Sequence, residues 1–164
     1  MGTDSFSDRV LQIISTPLTA PNRTLAEIAL RVDRQTIAKR RWRGAAENGQ
    51  EFGFDLAAPL KDGDAVHETA EALYVVRQHP EAVVEISLAL APSAAAGIGW
   101  AIGNLHLELS AEANRLLAPD EPAVRQLLAR LKVPFTETHA VFRPGRFVRG
   151  PQAATDEFGT SHQH

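Results

Sequence analysis

Six histidines and no cysteine set the metal chemistry open to this chain. Without thiolates there is no disulfide scaffold, no iron–sulfur cluster and no cysteine zinc site, so any metal must be held by imidazole or carboxylate. His106 closes a long uncharged stretch, in Gly103-Asn104-Leu105-His106. The chain ends Ser161-His162-Gln163-His164. On an extended segment His162 and His164 point the same way, ~6.5 Å apart by strand rise. The stretch before His106 reads as a helix without a polar face. One side must pack on its own sheet; the other meets water or another chain. Gly99 and Gly103, four apart, would let that neighbour approach closely. A symmetric dimer sets the same patch against itself. Two copies of His106 then meet near the twofold axis and supply half of a tetrahedral site. With His162 and His164 added, the set reaches roughly four to six nitrogen ligands, a sphere that suits Ni, Cu and Zn alike. Such a site loses affinity as pH falls through ~6, because imidazole must be neutral to bind. Ordering the tail costs ~1–2 kcal/mol per residue, so its contribution is small and reversible, as a carrier requires.

The remaining candidates are weaker. His67 and His79 fall near a turn and in a linker, where side chains are usually solvated. His139 lies on the last expected strand, which could bring it near the first helix. Lys39-Arg40-Arg41-Trp42-Arg43 is a basic run with an aromatic, open to a nucleic-acid or ribosome-associated reading or to a solvated strand edge. Asp120-Glu121 and Asp156-Glu157 suit a helix start and a tail. There is no Gly-rich phosphate loop, His-Glu-X-X-His or nucleophile motif, so an enzyme is not expected.

The elements that must position these residues fall into two groups. The first half reads as β. Thr24 to Val32 is a β-rich run; Ala38 to Arg43 precedes a turn at residues 45–49, where Asn48-Gly49 is a hairpin signal. Glu51 to Leu56 alternates with Phe52, Phe54 and Leu56 on one side. Residues 59–64 carry turn chemistry, and Leu73 to Arg77 is a further strand. This spacing predicts a small β-sandwich or barrel over residues 1–78. Gln78-His79-Pro80-Glu81 is a polar linker. Beyond it we expect a strand at Val83–Leu88, a helix at Ser93–Asn104 capped by Ser93, and strands at Leu105–Leu109 and Asn114–Leu117. A helix opened by Asp120 follows, with Val124, Leu127, Leu128 and Leu131 as its apolar stripe, then a strand at Phe135–Phe142. That βαββαβ order is a ferredoxin-like domain over residues 79–148. Residues 149–164 are expected to be a flexible, histidine-bearing tail.

The whole chain of 164 residues carries a net charge of −3, with 44% hydrophobic and 23% charged residues. The apolar share supports real cores, and the near-neutral balance argues against a general polyanion binder. Leu88 to Leu107 is uncharged and long enough to span a bilayer, but Pro92, three glycines, Asn104 and His106 favour a buried helix. Met1 to Arg9 has no apolar h-region, so a cytoplasmic protein is the expectation.

Several of these segments resemble one family. Trp42-Arg43-Gly44, the run Asn48 to Leu56, and Leu60-Lys61-Asp62-Gly63-Asp64 resemble the N-terminal domain of UreE, the urease accessory nickel metallochaperone. Gly103-Asn104-Leu105-His106 resembles its Gly-Asn-Arg-His metal motif, and the closing His162-Gln163-His164 its histidine-bearing C terminus. The resemblance covers roughly residues 35–164. It implies a homodimer joined through ferredoxin-like domains, with His106 as the interface ligand and His162 and His164 as terminal ligands. It implies Ni(II) as cargo, with Zn(II) or Cu(II) as further ions, and delivery to urease apoprotein through an accessory GTPase. It also implies a peptide-binding-like N-terminal domain that engages partners. The chain departs from the pattern at Ala101, where the family often has His, and at Leu105, where it often has Arg. The first departure removes a second fixed site; the second makes the interface more apolar.

Overall fold

The computed structural model describes residues 11–147 and 156–157. It contains two compact units, Met1–His79 and Pro80–His164. In the first unit, strand β1 (Gln12–Ile14) and β2 (Ala26–Val32) precede a short helix α1 (Arg34–Ile37). Then come β3 (Arg41–Ala45), β4 (Glu51–Asp55), β5 (Ala65–Glu68) and β6 (Ala72–Gln78). They form two three-stranded sheets, ordered β1-β4-β3 and β2-β6-β5. Ile14, Phe52 and Phe54 from the first sheet meet Leu30, Val32, Val66, Tyr74 and Val76 from the second in one core. The expected sandwich is thus present, and alternation along β4 drives it, since burying Phe52 and Phe54 needs an opposing apolar sheet.

The β3–β4 hairpin turns at Asn48-Gly49, where Gly49 takes φ 83° and the Ala46 amide donates to the Gln50 carbonyl. Three elements of this unit were not expected: β1, β5 and α1. Helix α1 is opened by Asp33, whose carboxylate accepts from the Thr36 amide at 2.7 Å, a side-chain cap that the Asp-X-X-Thr spacing encodes.

The second unit runs β7 (Glu81–Ser87), α2 (Pro92–Asn104), β8 (Ser110–Ala111), β9 (Arg115–Pro119), α3 (Pro122–Arg130) and β10 (Thr136–Ala140). The four strands form one antiparallel sheet, ordered β10-β7-β9-β8. A βαββαβ order with this strand sequence is ferredoxin-like. Helices α2 and α3 cover one face, where Ile98, Ile102, Val124, Leu127 and Leu128 pack on Val84, Ile86, Leu116 and Ala118. A short pair, β11 (Arg146–Phe147) with β12 (Asp156–Glu157), completes the described residues.

Several local expectations need correction. Leu105–Leu109 is not a strand; only Ser110–Ala111 joins the ladder. Leu107 and Leu109 instead pack as half-buried side chains on the helical core, which accounts for their alternation. Helix α2 starts at Ala91-Pro92 without a side-chain cap, so Ser93 does not serve as one. Proline at the first helical position has no amide to satisfy. In α3 the cap position belongs to Glu121, and Leu131, the C-cap residue, is 44% exposed rather than part of the buried stripe. Asp120 takes a different role, described below.

Candidate metal centre

The end of α2 shapes the surroundings of His106. Leu105 is the C-cap; the His106 amide donates to the Gly103 carbonyl at 2.9 Å, and the Leu107 amide to the Ile102 carbonyl at 3.4 Å. That pair of bonds is a Schellman motif, which satisfies two orphan carbonyls of the helix end. It requires a left-handed residue at the position His106 occupies, and His106 has φ 58°. Most helices place glycine there, since an L side chain in this conformation costs about 1 kcal/mol. Leu107 packs into the core beside Ile102 and locks the turn. His106 itself is exposed.

The outward flank of α2 is apolar. Trp100 is 71% exposed and Leu105 40%. A Cβ added at Gly97 or Gly103 would meet nothing within 4 Å among the described residues. Gly99 faces inward: a Cβ there would sit 3.5 Å from Leu109. The small residues on the outer flank are therefore Gly97 and Gly103, three positions either side of Trp100, rather than Gly99 and Gly103. Helical periodicity around Trp100 would have indicated this pair.

The other histidines lie elsewhere. His67 is half-buried on β5, its ring 5.9 Å from Phe52 and 5.6 Å from Tyr74, so it is packed and not a solvated turn residue. His79 is exposed at the end of the first unit. His139, on β10 at the sheet edge opposite β8, pairs in register with Ala82 of β7. It lies beside the start of α3, not the end of α2, and its charge contributes to holding the Asp120 carboxyl low. The larger cause is Arg125, which donates to both Asp120 oxygens at 2.6 and 2.8 Å and is itself pushed upward by them. Arg125 also donates to Glu137, which joins α3 to β10. His162 and His164 lie outside the described residues. Among the described residues no group of three or more His, Asp or Glu side chains comes together as a metal site.

The basic run divides by face. Arg41 pairs with Asp55 at 2.8 Å. Trp42 turns into the first unit and stacks on Phe54, ring centroids 3.9 Å apart, so it offers no platform for a base. Among the described residues no helix is long and apolar enough to cross a membrane.

These features describe a two-unit α+β protein whose ferredoxin-like unit carries an imidazole at the end of a helix with one exposed apolar flank. Residues 81–164 match the family model of the UreE urease accessory protein, C-terminal domain. Over 140 residues the chain is 31% identical to a urease accessory protein UreE of Paracoccus denitrificans, covering 84% of this chain and 82% of that protein. It is 34% identical over 87 residues to the UreE of Bifidobacterium longum subsp. infantis, 52% of this chain and 39% of the relative. It is 33% identical over 110 residues to that of Beijerinckia indica subsp. indica, 65% of this chain and 62% of the relative. The chain thus spans less than two thirds of two of these three relatives. It belongs to the UreE family of urease accessory proteins.

Proposed function

We propose that the chain is a nickel carrier for urease maturation, working as a homodimer in which one His106 from each copy flanks a shared Ni(II). The observation that carries this reading is the exposed flank of α2, where Trp100 stands between Gly97 and Gly103 on the helix that ends at His106. Covering the exposed part of one Trp is worth on the order of 3 kcal/mol. A twofold arrangement gives each Trp100 that cover and brings the two imidazoles together. Left-handed geometry at His106 supports the same reading. An L side chain is held there at a conformational cost, in a position that a glycine would fill more cheaply.

In this scheme His106 is the fixed ligand of each protomer, and His162 and His164 are the mobile ones. Nitrogen ligands without thiolate hold Ni(II) exchangeably, and Zn(II) or Cu(II) would compete for the same set. The ferredoxin-like unit dimerises, and the β-sandwich unit engages partners. The ion passes to urease apoprotein through its accessory GTPase, in the cytoplasm, with no catalytic step by the carrier and no membrane or nucleic acid involved.

Calorimetric titration with Ni(II) tests the proposal. The expected result is one tight ion per two chains, lost in His106→Ala and weakened when residues 161–164 are removed. Unchanged nickel binding by His106→Ala would refute the assigned centre.

A further inference from the structure

His106 is exposed, so the place of its imidazole is set by the backbone on either side rather than by packing of the ring. On the helix side the bonds to Gly103 and Ile102 fix it. On the other side lies a short irregular segment, residues 107–109, before β8 begins at Ser110. Leu107 and Leu109 rest half-buried on the helical core. Gly99 leaves room for Leu109 on α2, since a Cβ there would sit 3.5 Å from Leu109 Cδ2. A further hold comes from far along the chain: the Gly145 amide donates to the Leu109 carbonyl at 2.8 Å.

That donor is itself anchored. Phe142, three residues earlier, is fully buried with Val83 of β7 and Leu117 of β9, and Ala140 packs beside them. Alternation sets Val83 and Leu117 on the sheet face opposite to Val84, Leu116 and Ala118, which meet the helices. Phe142 thus pins the chain after β10 to the face that the helices leave open. Gly145, at φ 76°, then turns its amide toward Leu109. Leu117 joins the two ends of the arrangement. It packs with Phe142 and lies in register with Ser110, the residue after Leu109.

We infer that Gly145, pinned by Phe142, is a positioning residue for His106: it ties down the Leu109 carbonyl and so holds the imidazole in place before an ion arrives. The inference rests on the carrier reading for what the imidazole binds, and on these contacts alone for how it is held. A site in place only part of the time loses affinity by that fraction, and an ion shared by two protomers meets the loss twice.

Hydrogen exchange of the nickel-free protein and calorimetric titration with Ni(II) test this together. Gly145→Pro removes the donor and cannot take φ 76°. The His106 and Leu107 amides should then exchange roughly fivefold faster, the factor one hydrogen bond supplies. Nickel affinity should fall by roughly the same factor for each His106, about 25-fold for a shared ion. Should that variant fail to fold, Gly145→Ala keeps every core contact, is strained at φ 76°, and should show both changes in smaller measure. Phe142→Ala should also weaken nickel binding, and adding it to Gly145→Pro should weaken binding no further. Val124→Ala, in the core under α3, controls for general loss of stability and should move neither reading.

Unchanged exchange in the Gly145 variants, or nickel affinity that ignores a faster exchange, overturns the inference. So does an equal response in Val124→Ala, and additive losses would break the link to Phe142. Failure of the carrier reading looks different: His106→Ala then binds nickel unchanged. Exchange still decides the positioning in that case, upheld if the two amides quicken in Gly145→Pro and overturned if they do not.

Discussion

His106 donates its backbone amide to the carbonyl of Gly103 and, at φ 58°, ends helix α2 in the left-handed conformation. Backbone and side chain at this residue thus have separable roles. The backbone stops the helix; the imidazole faces solvent. His106→Gly should raise stability by about 1 kcal/mol in denaturant unfolding while removing tight nickel binding. His106→Ala should remove binding with little change in stability. Equal destabilisation by both would mean that the side chain has a packing role absent from this geometry.

The apolar flank of α2 makes a prediction that opposes ordinary helix propensity. Among the described residues nothing lies within 4 Å of a Cβ placed at Gly97 or Gly103. Gly103→Leu should therefore fold at least as well as the unaltered chain, since glycine is a poor helix residue by about 1 kcal/mol. It should nevertheless sediment as a monomer, and Trp100→Glu should do the same. Dimers that survive both substitutions would move the interface elsewhere.

Acid should act in two separate windows. Metal held by imidazoles is released as pH falls through about 6. The carboxylates that support the fold respond lower. Asp120 is held below its ordinary 3.8 chiefly by hydrogen bonds from Arg125, Asp33 below 3.8 by those from Thr36, and Glu27 below 4.5 by that from Arg77. A depressed carboxyl contributes stability that is present above its unfolded value and lost as pH falls through the folded one. Nickel should therefore leave by pH 5 with far-UV circular dichroism unchanged. Asp120→Asn should flatten the pH dependence of unfolding below about pH 4. A loss of ellipticity that tracks nickel release would contradict this order of events.

Much of this organisation is legible in the residues. Alternation in Glu51–Leu56, the Asn48-Gly49 turn and the α3 stripe of Val124, Leu127 and Leu128 each depend on local pattern, and each forms as expected, the stripe failing only at the exposed Leu131. Other features depend on distant partners and carry little local signal. β1 is three residues long and pairs in parallel with β4, far along the chain. Alternation at Leu105, Leu107 and Leu109 looks like a strand but arises from packing after a helix stop. Asp120 has the composition of a cap, yet Arg125, one and a half turns later, offers it two hydrogen bonds that an amide cannot match. That Phe142 fills the open face of the sheet over Val83 and Leu117 depends on strand order, which no short window contains.

Native mass spectrometry of the nickel-loaded protein tests the shared-imidazole centre most directly. The account predicts a dimer carrying one tightly held ion, replaced by a metal-free species in His106→Ala. A monomer that holds its own ion, or an alanine variant that retains the metal, would contradict it.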